Sequence, residues 1–102
     1  MTVQMSYVVE YTPRGGKTRF VKVGFSTKSP RDPSEEGVCV IGYDASLPRM
    51  NLAEFKRTSR DLPSDFVSMV EEMLKRPPKG RWVRLKKSVK GRTTKITITV
   101  RS

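Results

Sequence analysis

Apolar and polar side chains alternate from Val3 to Tyr11, which sets Met5, Tyr7, Val9 and Tyr11 on one face, and again from Arg19 to Phe25, which sets Val21, Val23 and Phe25 together. A period of two marks a half-buried strand. The intervening Thr12-Pro13-Arg14-Gly15-Gly16-Lys17 is turn chemistry, so the two runs read as a hairpin. A three-residue loop places Tyr11 opposite Val21, Val9 opposite Val23 and Tyr7 opposite Phe25, with Glu10 across from Lys22 on the polar side.

The same pattern returns in Lys79 to Ser102, KGRWVRLKKSVKGRTTKITITVRS. A two-residue turn at Lys90-Gly91 pairs Val89 with Arg92, Leu85 with Ile96, Val83 with Ile98 and Arg81 with Val100. Val83, Leu85, Ile96 and Ile98, extended by Val100, then share a face that reads as core. The opposite face gathers Trp82, Arg84, Lys86, Lys95, Thr97 and Thr99. In this register Lys86 lies across from Lys95, a like-charge pair that weakens a sheet unless an anion sits over it.

Between the hairpins, Ser26 to Gly37 (STKSPRDPSEEG) reads as a long mobile loop, and the apolar run Val38 to Tyr43 as a central strand. Residues 49–57 allow two readings. Asn51 with Glu54 three residues on caps a short helix carrying Leu52 and Phe55, or Met50 to Lys56 forms a fourth strand. A helix starts at Ser64 as N-cap, with Phe66, Val67, Val70, Met73 and Leu74 as its apolar stripe, and Pro77 and Pro78 end it. The expected fold is one α+β domain over residues 1–102, with the loop 26–37 and the basic hairpin 79–102. It is a single antiparallel sheet of about five strands with one main helix on one face, in the order β-β-β-(β or short helix)-α-β-β.

Charge changes the picture. Past Glu72 there is no acid, while Lys75, Arg76, Lys79, Arg81, Arg84, Lys86, Lys87, Lys90, Arg92, Lys95 and Arg101 follow, so the formal +11 of the chain resides in its last quarter. A pI near 10.3 with this asymmetry implies a polyanionic partner. A hydrophobic content of 35% gives a thin core that a homodimer would extend. The single Cys39, within an apolar run, reads as a buried thiol in a reducing compartment. With no apolar run of about 18 residues and no signal-peptide pattern at MTVQMSYVVEY, the chain is expected to be soluble and intracellular, without a membrane partner.

Candidate chemistry is sparse. There is no histidine, and one cysteine excludes a zinc site. Gly15-Gly16 precedes a strand and so makes no phosphate loop. Asp44 followed by Glu54-Phe55-Lys56 resembles the arrangement in metal-dependent nucleases of the PD-(D/E)xK type, which implies a magnesium-dependent activity. Tyr43 replaces the expected proline there, and the helix that normally precedes the first strand is missing. Glu71 and Glu72 balance Lys75 and Arg76 on a solvated helix face. The leading expectation is therefore a non-enzymatic nucleic-acid-binding protein without cofactor or metal, favouring single-stranded DNA or RNA. Its site comprises Trp82, Arg84, Lys86, Lys87, Lys90, Arg92, Lys95 and Thr97, an indole for stacking beside cations for phosphate. Tyr43 and the N-terminal tyrosines add to the aromatic supply. The rival is a small regulator, of viral or cellular origin, whose basic hairpin binds an acidic surface on another protein.

Overall fold

Strands come from the alternating runs, and the helices supply the layer that covers one side of them. The computed structural model describes residues 3–27, 34–77, 79–80, 82–91 and 93–101. Its elements are β1 (Val3–Tyr11), β2 (Arg19–Thr27), β3 (Glu35–Ile41), β4 (Arg49–Asn51), α1 (Leu52–Thr58), α2 (Ser64–Lys75), β5 (Trp82–Lys90) and β6 (Thr93–Arg101). The strands form one six-stranded sheet in the order β4-β1-β2-β3-β5-β6, with β4 parallel to β1 and the other pairs antiparallel. The α+β class is as expected and the strand and helix numbers come close, with both a strand and a short helix in the place where one or the other was expected; the sheet is mixed where an antiparallel one was expected. No helix among the described residues is long and apolar enough to cross a membrane.

Residues 49–57 hold both of their alternatives in succession. Arg49–Asn51 adds a short strand to β1, and Asn51 then caps α1. Its Oδ1 accepts from the Glu54 N–H at 2.8 Å while its Nδ2 donates to Glu54 Oε1 at 2.9 Å, a reciprocal pair that satisfies an orphan helix donor. Ser64 is not the N-cap of α2. Pro63 holds that position without a side-chain hydrogen bond, and its carbonyl accepts from Phe66 and Val67. The polar stretch after β2 is shorter than expected, since β2 runs to Thr27 and β3 starts at Glu35 with the two residues paired. Residues 28–33 of the expected mobile loop lie outside the described residues.

Both hairpin registers differ from expectation by two residues, and turn chemistry explains why. In the first, Tyr7 pairs with Val23, Val9 with Val21 and Glu10 with Phe20. Gly16 N–H donates to the Pro13 carbonyl at 3.0 Å and Gly15 has φ +78°, as the third position of a type II turn requires. In the second, Lys90 pairs with Thr93, so Gly91 with φ +61° is the first central residue of the turn. Two-residue hairpin turns need positive φ at that position, which glycine accepts and lysine resists. Lys86 consequently lies opposite Thr97 and Lys95 opposite Ser88, which removes the expected like-charge pair.

The core lies between one sheet face and the helices. Tyr7, Val9, Val21, Val23, Phe25, Cys39, Val83 and Leu85 supply the sheet side; Phe55 from α1 and Phe66, Val70, Met73 and Leu74 from α2 cover them. Gly37 makes the closest approach possible. A Cβ there would collide with the rings of Phe66 and Phe25, which pack on each other at 5.0 Å between centroids. Arg19 Nη1 donates to the Leu74 and Lys75 carbonyls at 3.0 and 2.7 Å, satisfying the open C-terminal end of α2. Glu71 joins the two helices, with Lys56 and Lys75 each at 2.8 Å, and these cations hold its carboxyl below the usual range.

Gly37→Ala is expected to lower the unfolding free energy by about 1–3 kcal/mol through overpacking. In Gly24→Ala the added methyl would meet nothing nearer than Ser6 Oγ at 3.8 Å. That variant should change stability by no more than about 1 kcal/mol, in the favourable direction. Urea unfolding followed by circular dichroism distinguishes the two, and equal effects would remove the Phe66 contact from the account. Burial pushes the Cys39 thiol up to about 12. Its contribution to stability is complete below the unfolded thiol pKa of roughly 8.5 and is lost as pH rises through the folded value. The stability advantage of the native chain over Cys39→Ala should therefore shrink as the solution is made alkaline, and a constant difference would contradict this.

Candidate nucleic-acid interface

The sheet register fixes what the face opposite the helices displays. Val8, itself fully buried, Lys22, Val40, Trp82 and Arg101 form one row across it, open to solvent only beyond β1. Ser6, Gly24, Val38, Arg84 and Thr99 form the next, and Ser26, Glu36, Lys86 and Thr97 the one after. A shallow groove of about 480 Å³ runs between the first two rows, lined by Val38, Val40, Trp82, Arg84, Thr99 and Arg101.

Trp82 is half-buried in this groove, with the Arg101 guanidinium 5.5 Å from its ring centroid. That distance is a cation–π contact. Arg84 Nε pairs with Glu36 Oε1, the arginine exposed and the glutamate partly exposed to solvent. Such a solvated pair holds its partners weakly, so an incoming phosphate can take over the guanidinium at small cost. Lys86 stands beside the same Glu36 in register, and Lys95 is exposed on the same face opposite Ser88. At the far end, Phe20 and the exposed Tyr43 pack at 5.0 Å between centroids.

Trp82, Arg84, Lys86, Lys95 and Thr97 thus share one face. Lys87 does not. It pairs with Glu35 and Ile96 on the helix side of the sheet. The Lys90 side chain and Arg92 lie outside the described residues. Tyr7 is a core residue whose hydroxyl lies 3.4 Å from Ser59 Oγ, and Tyr11 packs against the core, so only Tyr43 of the expected tyrosines is free to stack. Arg101 and Lys22 were absent from the sequence-derived set. Alternation continued past Thr99 points to Arg101, whereas Lys22 needs the β2–β3 register, which is non-local.

The residues of the nuclease-like pattern are held separately. Asp44 accepts from Ser46 Oγ at 2.6 Å and Ser46 N–H at 3.0 Å, and these bonds keep its carboxyl below the usual range. Glu54 is engaged by Asn51, and Lys56 by Glu71. No cluster of three acidic, cysteine or histidine side chains suited to a metal occurs among the described residues. A cleft of about 530 Å³ near β1 and α1 is lined by Tyr11, Leu52 and Ala53 with one acid, Glu10, and one base, Lys56. Its balanced charge offers nothing to a polyanion.

The cations around Trp82 should concentrate anions there. Iodide is expected to quench the emission of this sole tryptophan more strongly than caesium does, and Arg101→Ala should narrow the difference. Equal quenching by the two ions would mean that the positive charges do not act together at the indole. Comparison of the chain with protein families, with characterised proteins and with solved structures finds no match in any of the three.

Proposed function

We propose that the protein binds single-stranded nucleic acid, DNA or RNA, on the open face of its sheet, without a catalytic step. The observation that carries this reading is the joint placement of a half-buried indole, an arginine over it and a second, weakly held arginine in one groove. Unpaired bases stack on aromatic side chains while their phosphates follow a basic groove. Trp82 and the Phe20 and Tyr43 pair offer aromatic surface at two places, with Lys22 in the row of Trp82. Duplex reading by a helix has poor support, since α2 carries Asp65, Glu71 and Glu72. Arg101 leaves the indole for a phosphate when a base stacks there, or lends its own plane to the stack.

The test is a titration against single-stranded DNA, duplex DNA and RNA at several salt concentrations, read by Trp82 emission. Lys22, Arg84, Lys86, Lys95 and Arg101 on this face give an expected log-log salt slope of about −3 to −4 for a single strand. Each cation removed should flatten it by about 0.7. Trp82→Ala should weaken binding by about 1–3 kcal/mol and leave the slope unchanged. Glu36→Gln should strengthen binding severalfold, because it frees Arg84. A salt-independent affinity would sink this reading. Equal binding of a polyglutamate chain, with Trp82 emission unmoved, would assign the face to an acidic protein surface instead.

A further inference from the structure

The helix side of the sheet holds a surface that nucleic-acid binding does not use. Ile96, Ile98 and Val100 of β6 are 43%, 54% and 53% exposed, although their alternation is that of a buried strand face. The helices reach β1, β2 and β3 and stop short of β6, whose residues are exposed throughout. β6 is also an edge strand nine residues long, while the other edge, β4, has three residues and turns at once into α1. A long, apolar, unpaired edge is a template for strand addition. The total surface agrees. A compact monomer of 11.6 kDa exposes about 5,800 Å². This chain exposes 7236 Å², and the surplus exceeds the roughly 800 Å² that one partner buries in a standard interface.

We infer that β6 is the seam of a homodimer, in which a second copy of the chain adds its own β6 antiparallel and edge to edge. The occupant follows from self-complementarity and from register. The apolar stripes of two copies lie on the same side only when Ile96, Ile98 and Val100 pair among themselves or with Thr94. Placing Ile98 on the two-fold axis sets Lys95 opposite Arg101 of the second copy, a like-charge pair that costs stability. Placing Thr97 on the axis avoids this. Ile96 then faces Ile98, Lys95 faces Thr99, Thr94 faces Val100 and Thr93 faces Arg101, so the whole strand from Thr93 to Arg101 is paired. Two threonines meet at the centre, a pairing that sheets favour. Because only one long edge is free among the described residues, the isologous contact closes at two copies. Both open faces end on the same side of the joined sheet, which doubles the length of basic surface.

The test uses the full chain and needs no nucleic acid. Sedimentation equilibrium over two decades of concentration is expected to show a monomer–dimer equilibrium. Each protomer carries a formal +11, so added salt, which screens that repulsion, should strengthen the dimer. This is opposite in sign to the effect on nucleic-acid binding, so the two proposals fail independently. Under mild oxidation Thr97→Cys should give a disulfide-linked dimer, while Thr93→Cys, four residues from the axis on each copy, should not; the buried Cys39 stays out of the reaction. Ile98→Lys, at an exposed position, should be monomeric with unchanged circular dichroism. A monomer at every concentration, cross-linking equally at both positions, or an open series of larger species would each overturn the inference.

Discussion

The ring of Phe66 stands over Gly37 and against Phe25, and this contact sets how closely α2 seats on β2 and β3. A side chain at position 37 would push against these two rings, so the ring or the helix would have to shift. With α2 seated, Val70, Met73 and Leu74 fall onto the side chains of the central strands, and Arg19 fastens the far end of the helix through its last carbonyls. Glu71 then carries the constraint to α1 through Lys56. The uncovered side follows by exclusion. Side chains alternate across each strand, so seating Leu85 and Val83 under the helices turns Trp82, Arg84 and Lys86 outward.

Faces were legible in the sequence, and registers were not. Both hairpins pair two residues away from the expected register, yet every strand residue keeps its side, because a shift of two preserves parity whereas a shift of one reverses it. The hydrophobic pattern specifies only that parity. What selects among equivalent registers is the backbone of the turn, where Gly15 and Gly91 take positive φ that Arg14 and Lys90 before them would resist. Each alternation was therefore readable over nine residues, while each register depended on one. The capping pair Asn51 and Glu54 was legible for the same local reason, and the parallel pairing of β4 with β1 was not, since nothing within three residues encodes a distant neighbour.

The electrostatics of the site show the same division. A concentration of cations after Glu72 is a property of the sequence, but their local field depends on what pairs beside them. Pairing of β3 with β5 brings Glu35 opposite Lys87 and Glu36 opposite Lys86, and Glu36 bonds Arg84. Those acids belong to a stretch whose prolines and glycine read as loop, so their approach to the basic hairpin had no sequence signal. The open face is accordingly a graded surface. The row of Lys22, Trp82 and Arg101 carries two cations, with Asp44 near Lys22, and the row two away sets Glu36 beside Lys86.

β6 is where pattern and burial disagree most. Ile96-Thr97-Ile98-Thr99-Val100 alternates as a strand with one buried face does, and each of these residues is exposed. Two cations flank the run, Lys95 and Arg101, and both point to the open face, which leaves the apolar stripe without a charge of its own on β6. Edge strands that must stay single usually carry a charge or a proline within that stripe. This one carries neither. The alternation presents two surfaces at once, a polar side continuous with the basic groove and an apolar side that the chain's own helices do not cover.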